Sequence, residues 1–294
     1  MSLFDQYSNV VLIAVAVCAG VLVPNGGPYI QPFVPVLVMF LVYSFLRGFR
    51  LQEIDVASEV RIAILSLGIS YVLVPLFGRY VARAVLPETA VRGFVFIFAA
   101  PTTAVSAVWT RFSNGDVQLA TTITVGSIVT APIATPLLLT WLVGSQARVP
   151  VARVFTELLV VIGGGILLTI LVPRSLLSKR TVSTGAMGAL VIILYASTAI
   201  VDIGSVDVTN LVAVGGVSTV LLGVGVAVSL LSERTLGFDR TQTLPILFTS
   251  SMKNLGIALL LSTLIQPDPL VVATVVTVFI SQQLFGALVT DHVS

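Results

Sequence analysis

The residues that could do chemistry begin with one lysine. Lys253 sits in Thr249-Ser250-Ser251-Met252-Lys253-Asn254-Leu255-Gly256, at the middle of an apolar run from Leu244 to Ile265. That run is long enough to cross a bilayer. Lipid favours Leu and Val at such a depth, yet only Met252 and Leu255 here are ordinary lipid-facing types. A charge at the centre of a spanning helix costs roughly 2.5–3.5 kcal/mol even on the most forgiving scale. Roughly 15 Å of helix separates Lys253 from water on either side, further than a lysine stem can snorkel. The ammonium therefore needs a polar, protein-lined cavity at mid-membrane, which is a feature of transporters.

A second polar break lies in Gly93–Phe112, at Ala100-Pro101-Thr102-Thr103. Thr102, Thr103 and Ser106 either line a cavity or bond backbone that Pro101 leaves free. Asn254 either contacts a ligand or caps the helix that restarts after Lys253. Gln282 and Gln283 lie at bilayer depth, and either could face the same cavity. Trp109 reads as packing and Asp116 as an N-cap. Arg153 and Glu157 are spaced for a helix-end ion pair, and Asp202 and Asp207 for solvated span ends. An intramembrane enzyme would need a Ser–His pair, two aspartates at depth or a zinc motif. Cys18 is the one cysteine and His292 the one histidine, in the tail. No disulfide, metal site, cofactor or enzymatic activity is expected.

The elements that position these residues must be membrane helices. The chain is 56% hydrophobic and 10% charged, where soluble domains carry about 25% charge. Its apolar runs lack the alternation of an outer-membrane barrel. No cleavable signal peptide is expected, because Met1–Tyr7 lacks a positive segment and the first run ends in Pro24-Asn25-Gly26-Gly27. No basic run is long enough for nucleic acid. The partners expected are the lipid bilayer and a small molecule.

Ten spans are expected: Asn9–Val23, Pro28–Leu46, Val60–Val81, Gly93–Phe112, Val117–Val143, Val154–Val172, Gly185–Val201, Asn210–Leu231, Leu244–Ile265 and Leu270–Val289. Pro28, Pro32 and Pro35 should bend the second span or delay its start. Pro132 and Pro136 should kink the fifth, and Gly163-Gly164-Gly165 should let the sixth approach a neighbour closely. Arg50–Glu59 reads as an interfacial link, and Pro173–Thr184 as a loop. With the N-terminus inside, the inner loops hold Arg47, Arg50, Arg61, Arg111, Arg174, Lys179, Arg180, Arg234 and Arg240. The outer loops hold Arg79, Arg83, Arg92, Arg148 and Arg153. That bias places both termini in the cytoplasm, and the protein is expected in the plasma membrane.

The halves 1–146 and 147–294 look related. Leu119–Val125 reads against Val272–Val278. Each follows a polar turn, Asn114-Gly115-Asp116 or Gln266-Pro267-Asp268-Pro269, and each turn follows a span broken at its middle. Five spans is an odd number, so the second half enters from the opposite side. The expected fold is therefore all-α: ten transmembrane helices in two inverted five-helix repeats, with a midplane site between discontinuous helices four and nine.

Ala100–Thr110 followed by Asn114-Gly115-Asp116-Val117 resembles the fourth-span signature of the bile acid:sodium symporter family, in the bile/arsenite/riboflavin transporter superfamily. Met252-Lys253-Asn254-Leu255-Gly256-Ile257-Ala258 is similar to its ninth-span Met-Gln-Asn-x-Gly-Leu-Ala. Met39-Phe40 and Pro75 fall where that family carries the same residues. The resemblance spans nearly the whole chain. It implies a core domain in which spans four and nine cross, and a panel of spans one, two, six and seven. It also implies alternating access that carries organic anions with sodium.

This chain departs from that pattern at the sodium positions. Ser106 and Thr124 keep an oxygen. Ala107 stands for an asparagine, Ala120 for a serine, Ser70 for a glutamine and Thr249 for the glutamate shared by both sodium sites. Lys253 stands for the glutamine of the ninth-span motif. The sites lose their carboxylate and gain a cation, which repels sodium. Four readings of Lys253 follow: a surrogate for sodium bonded to Ser106, Thr124, Thr249 or free carbonyls; a direct ligand of an anionic substrate; a structural lysine; or a misplaced span. The expected function is a secondary transporter of bile-acid-like or smaller carboxylates, not sodium-coupled. A proton that leaves Lys253 would couple transport to protons, and a permanent charge would give a uniporter or exchanger. The arsenite exporters of the superfamily carry a cysteine where this chain has Thr102. The alternatives are an arsenite or metalloid exporter of the same superfamily and a channel.

Overall fold

The computed structural model describes residues 3–48, 56–143, 149–200, 206–266 and 268–293, with side chains over the same ranges except 3–10, 56–58 and 291–293. Arg50 and most of the expected interfacial link lie outside the described residues. So do Arg148, Asp202, Pro267 and the expected boundary between halves at 146/147, as does the side chain of His292.

The named elements among the described residues are all helices: α1 (Leu3–Leu22), α2 (Gly27–Ile30), α3 (Val34–Arg47), α4 (Val56–Gly68), α5 (Val74–Val85), α6 (Glu88–Ala99), α7 (Val105–Phe112), α8 (Val117–Val143), α9 (Val151–Leu171), α10 (Lys179–Thr198), α11 (Val208–Leu236), α12 (Arg240–Ser251), α13 (Leu255–Ile265) and α14 (Pro269–Val293), with short 3-10 and π turns between some of them. Seven helical stretches among them are long and apolar enough to cross a membrane. Val11–Leu22 and Leu255–Ile265 are shorter apolar helices.

Local chemistry sets the ends. Asp116 Oδ1 accepts from Leu119 N at 3.0 Å and starts α8. Asp207 accepts from Thr209 N at 2.8 Å and is exposed, as a solvated cap should be. Asp239 and Gln242 form a reciprocal capping box at the start of α12. α10 begins earlier than its apolar run, because Ser178 caps Thr181 N at 3.0 Å and Lys179 and Arg180 join the first turn. The expected loop up to Thr184 is correspondingly shorter. Pro24–Phe33 winds through two 3-10 turns and the short α2 before α3 starts, as the prolines require. α8, by contrast, runs unbroken through Pro132 and Pro136.

Two groups of helices emerge from the packing. α3 lies against α9 and α10, and α1 lies against α10. In the other group α6 packs on α5 and α14, α11 on α5, α12 and α14, and α8 on α4, α6 and α7; α8 against α9, and α13 against α3 and α10, join the two groups. A Cβ on Gly164 or Gly165 would overlap Met39 or Val42, so these two glycines allow the close α3–α9 contact. Gly163 meets nothing there. Arg153 and Glu157 do not pair, whereas Arg83 and Glu88 do, at 3.4 Å and half exposed.

A candidate ion and substrate site at two broken helices

Both interruptions fall where polar residues break the apolar runs. α6 stops at Ala99 and α7 starts at Val105; α12 stops at Ser251 and α13 starts at Leu255. The two extended segments lie antiparallel, with Thr102 opposite Lys253. Asn254 N donates to Pro101 O at 2.8 Å and Thr103 N to Met252 O at 3.3 Å. Each central N–H then finds a side chain from a following helix. Thr102 N donates to Ser127 Oγ at 2.9 Å, and Lys253 N to Gln282 Oε1 at 3.1 Å. Helix ends leave carbonyls unpaired, and nearby hydroxyls take them up. Thr135 Oγ1 donates to Ala99 O and Thr102 Oγ1 to Thr249 O, at 2.8 and 2.9 Å.

The four half-helices point their ends in two senses. α6 and α12 bring carbonyl ends to the crossing, which carry partial negative charge; α7 and α13 bring amide ends, which carry partial positive charge. Lys253 lies on the carbonyl side. It is fully buried, and its Nζ donates to Ser70 O at 2.8 Å and to Ser70 Oγ at 2.7 Å. It also lies 5.0 Å from the centre of the Tyr71 ring. None of the contacts of this ammonium, among the described residues, is to a carboxylate.

The amide ends face a cavity of about 240 Å³. Thr103, Ala104 and Val105 line it from the α7 side, and Asn254, Leu255 and Gly256 from the α13 side. Its other wall is α3 and α10, where Ser44 and Ser183 are the polar members among Leu, Val, Phe, Ala and Met side chains. Lys253 does not line it. Concave, mostly apolar space with a few convergent polar groups is what a small-molecule site looks like, and helix amide ends favour an anionic group.

Residues 8–291 match the SBF-like CPA transporter family. The chain belongs to that family. It is a multi-pass membrane transporter, and the suspected kinship with bile acid:sodium symporters holds. A comparison with curated proteins finds no match.

The transporter brings the nine predicted site residues into three neighbouring groups. Lys253, Ser70, Thr249, Thr102 and Gln282 form one bonded set. Thr103 and Asn254 line the cavity. Asn254 Oδ1 also caps α13, accepting from Ile257 N at 3.1 Å. Ser106 Oγ and Thr124 Oγ1 lie 3.1 Å apart, and each has a local carbonyl to donate to, Thr103 O and Ala120 O respectively. The lysine therefore does not bond to Ser106 or Thr124. Nor does it bond to the Thr249 hydroxyl, which donates to Pro245 O and pairs with Ser66 Oγ. Gln283 takes the Trp109 indole N–H at 3.4 Å, and Trp109 packs edge-on against Phe112.

Sequence reasoning passed over three residues here. Ser127 and Tyr71 bond each other and steady both Thr102 and the ring beneath Lys253. Glu59 was read as the end of a link. It is a buried carboxylate that accepts from Gln118 Nε2 and Thr122 Oγ1, both at 2.9 Å. Its spacing of seven and eleven residues from Ser66 and Ser70, one helix face, was the available signal.

Proposed function

We propose that the protein is a secondary transporter of small organic anions, in which Lys253 takes the place of a driving sodium ion. The observation that carries this reading is the bonding of the Lys253 ammonium to Ser70 on the carbonyl side of the crossing, without a contacting carboxylate among the described residues. A resident cation there repels a second one. On the opposite face, the amide ends of α7 and α13 with Thr103 and Asn254 suit a carboxylate, and the apolar wall suits its hydrocarbon body. Because Lys253 does not line the cavity, its role as a direct substrate ligand loses support.

In this reading the chain crosses the membrane ten times in two inverted halves, 1–146 and 147–294. α6–α7 form span four and α12–α13 form span nine. The paired contacts α3–α9 and α10–α1, and α5–α6 and α11–α12, support it, since an inverted repeat exchanges the members of each pair. α1, α3, α9 and α10 are the panel, and transport is movement of the remaining core against it. Both termini are cytoplasmic and the membrane is the plasma membrane.

The test is thermal stability of the purified protein in detergent, with sodium titrated against choline at constant ionic strength. Ligand that binds the folded state raises Tm by mass action. Wild type should show no sodium-specific rise, and Thr249→Glu/Lys253→Gln should show one. A saturable sodium-specific rise in wild type overturns the surrogate reading. Uptake of labelled acetate, benzoate and cholate into proteoliposomes tests the substrate class, and failure of all three overturns it.

A further inference from the structure

The carbonyl that receives Lys253 should not be free in a helix. In α geometry Val74 N would bond to Ser70 O. Instead residues Ile69–Leu73 form a π-helical turn, and Val74 N donates to Ile69 O. In that wider register the next donor due to Ser70 O is the N–H of residue 75. Residue 75 is proline and has none. The π turn and Pro75 together leave one carbonyl without a main-chain donor, deep in the protein, where an unpaired polar group is costly.

Everything around that carbonyl is arranged for a nitrogen cation. Ser70 Oγ accepts from Lys253, with its own proton directed at Thr249 O, 3.4 Å away. The Tyr71 ring presents its face to the ammonium, the geometry of a cation–π contact. That ring is held in place, since its hydroxyl donates to Ser127 O at 2.8 Å and accepts from Ser127 Oγ at 3.0 Å. Sodium prefers a fuller shell of oxygens, whereas two oxygens and an aromatic face suit an ammonium group.

Resting on the surrogate reading of Lys253, we propose that the π turn at Ile69–Leu73, opened by Pro75, is a receptor site for one primary ammonium, which the side chain of Lys253 fills from within. Truncation of Lys253 to alanine removes Cγ, Cδ, Cε and Nζ, the heavy atoms of propylammonium. The emptied site takes that cation in preference to sodium.

The experiment uses the full chain in detergent. Lys253→Ala is titrated with propylammonium, sodium or choline chloride at constant ionic strength. The expected result is a saturable rise in Tm of about 2–4 °C with propylammonium alone, absent in wild type and in Lys253→Ala/Pro75→Ala. An equal response to sodium, no response from a monodisperse Lys253→Ala protein, or a response that survives Pro75→Ala overturns the proposal. Should Lys253→Ala fail to fold, the wild-type lysine serves instead. Pro75→Ala returns a main-chain donor to this turn, so acylation of Lys253 by a membrane-permeant reagent, read by mass spectrometry, should accelerate several-fold. An unchanged rate overturns the receptor. Neither measurement involves the transported anion. Loss of amine rescue leaves anion transport standing, and sodium-driven uptake by wild type ends the surrogate reading whatever the rescue shows.

Discussion

The two broken helices solve one problem in two ways. Both interrupt an apolar helix at its middle, both give main-chain donors to the other's carbonyls, and both hand their central N–H to a side chain of a later helix. The first break is five residues long, Ala100–Ala104, and contains Pro101. The second is three residues long, Met252–Asn254, and restarts under an asparagine cap. At the paired positions Thr102 reaches only as far as Thr249 O, while Lys253 crosses to Ser70, between α4 and α5. The shared backbone device builds the crossing. The single difference in side chain puts a lysine into one break and a threonine into the other, and on the proposed reading that lysine stands where an ion would otherwise be recruited.

The comparison breaks most sharply at its central pair. Lys253→Met should lower carboxylate uptake at least about tenfold, ~1.4 kcal/mol at the rate-limiting state, while Thr102→Val, which removes one bond to a shared carbonyl, should cost only a few-fold. Uptake into proteoliposomes checks both, and equal losses would make the two breaks functionally alike. Next come the residues that receive the central N–H groups. Gln282→Leu and Ser127→Ala each leave a buried donor unpaired, and each should cost about 1–3 kcal/mol in denaturant or thermal unfolding. A large difference between them would mean that one break bears more of the structure.

Asn254 sharpens the contrast at the restarting helix. Asn254→Ala removes the cap and should cost ~1 kcal/mol. Asn254→Asp keeps a capping oxygen but sets a negative charge beside the cavity, so Tm should hold while cholate uptake falls several-fold. The smallest effect lies at the far end of α12. Asp239→Ala should cost up to ~1 kcal/mol. Bonds from the Thr241 hydroxyl and Gln242 N hold the Asp239 carboxyl below its usual range. Its stabilisation is therefore present above the ordinary carboxylate range near pH ~4 and lost as pH falls through the lower folded value. Unfolding of wild type and Asp239→Ala should converge at low pH, which a pH series of melts checks.

Much of this was legible before any coordinates. A charge or a proline at the middle of a twenty-residue apolar run has few physical solutions, so Lys253 and Pro101 announce the broken helices. Asp116 and Asn254 are recognisable caps because their side chains act on the next few residues of the same chain. Partners at long range were not legible. Ser106 and Thr124 were natural candidates for Lys253 by resemblance, yet their hydroxyls are spent on each other and on local carbonyls. The acceptors are the main-chain carbonyl and the hydroxyl of Ser70; Ser70 was a candidate by resemblance, but every residue has a carbonyl, so no residue type marks that second bond. Pro75 was visible, but its effect depends on the π register of the turn before it.

What the sequence alone determined is that the chain is helical and built for a membrane, where the two helices break, and that a lysine must be housed at depth, because hydropathy, proline geometry and the cost of burying charge are local properties. Only the tertiary structure decided which way Lys253 points. That direction follows the π turn at Ile69–Leu73, where Val74 N bonds to Ile69 O and not to Ser70 O, while the amide ends of α7 and α13 line a separate cavity. An ammonium goes to the acceptor left unsatisfied, and which acceptor that is depends on how separate helices pair, not on the order of residues along one of them.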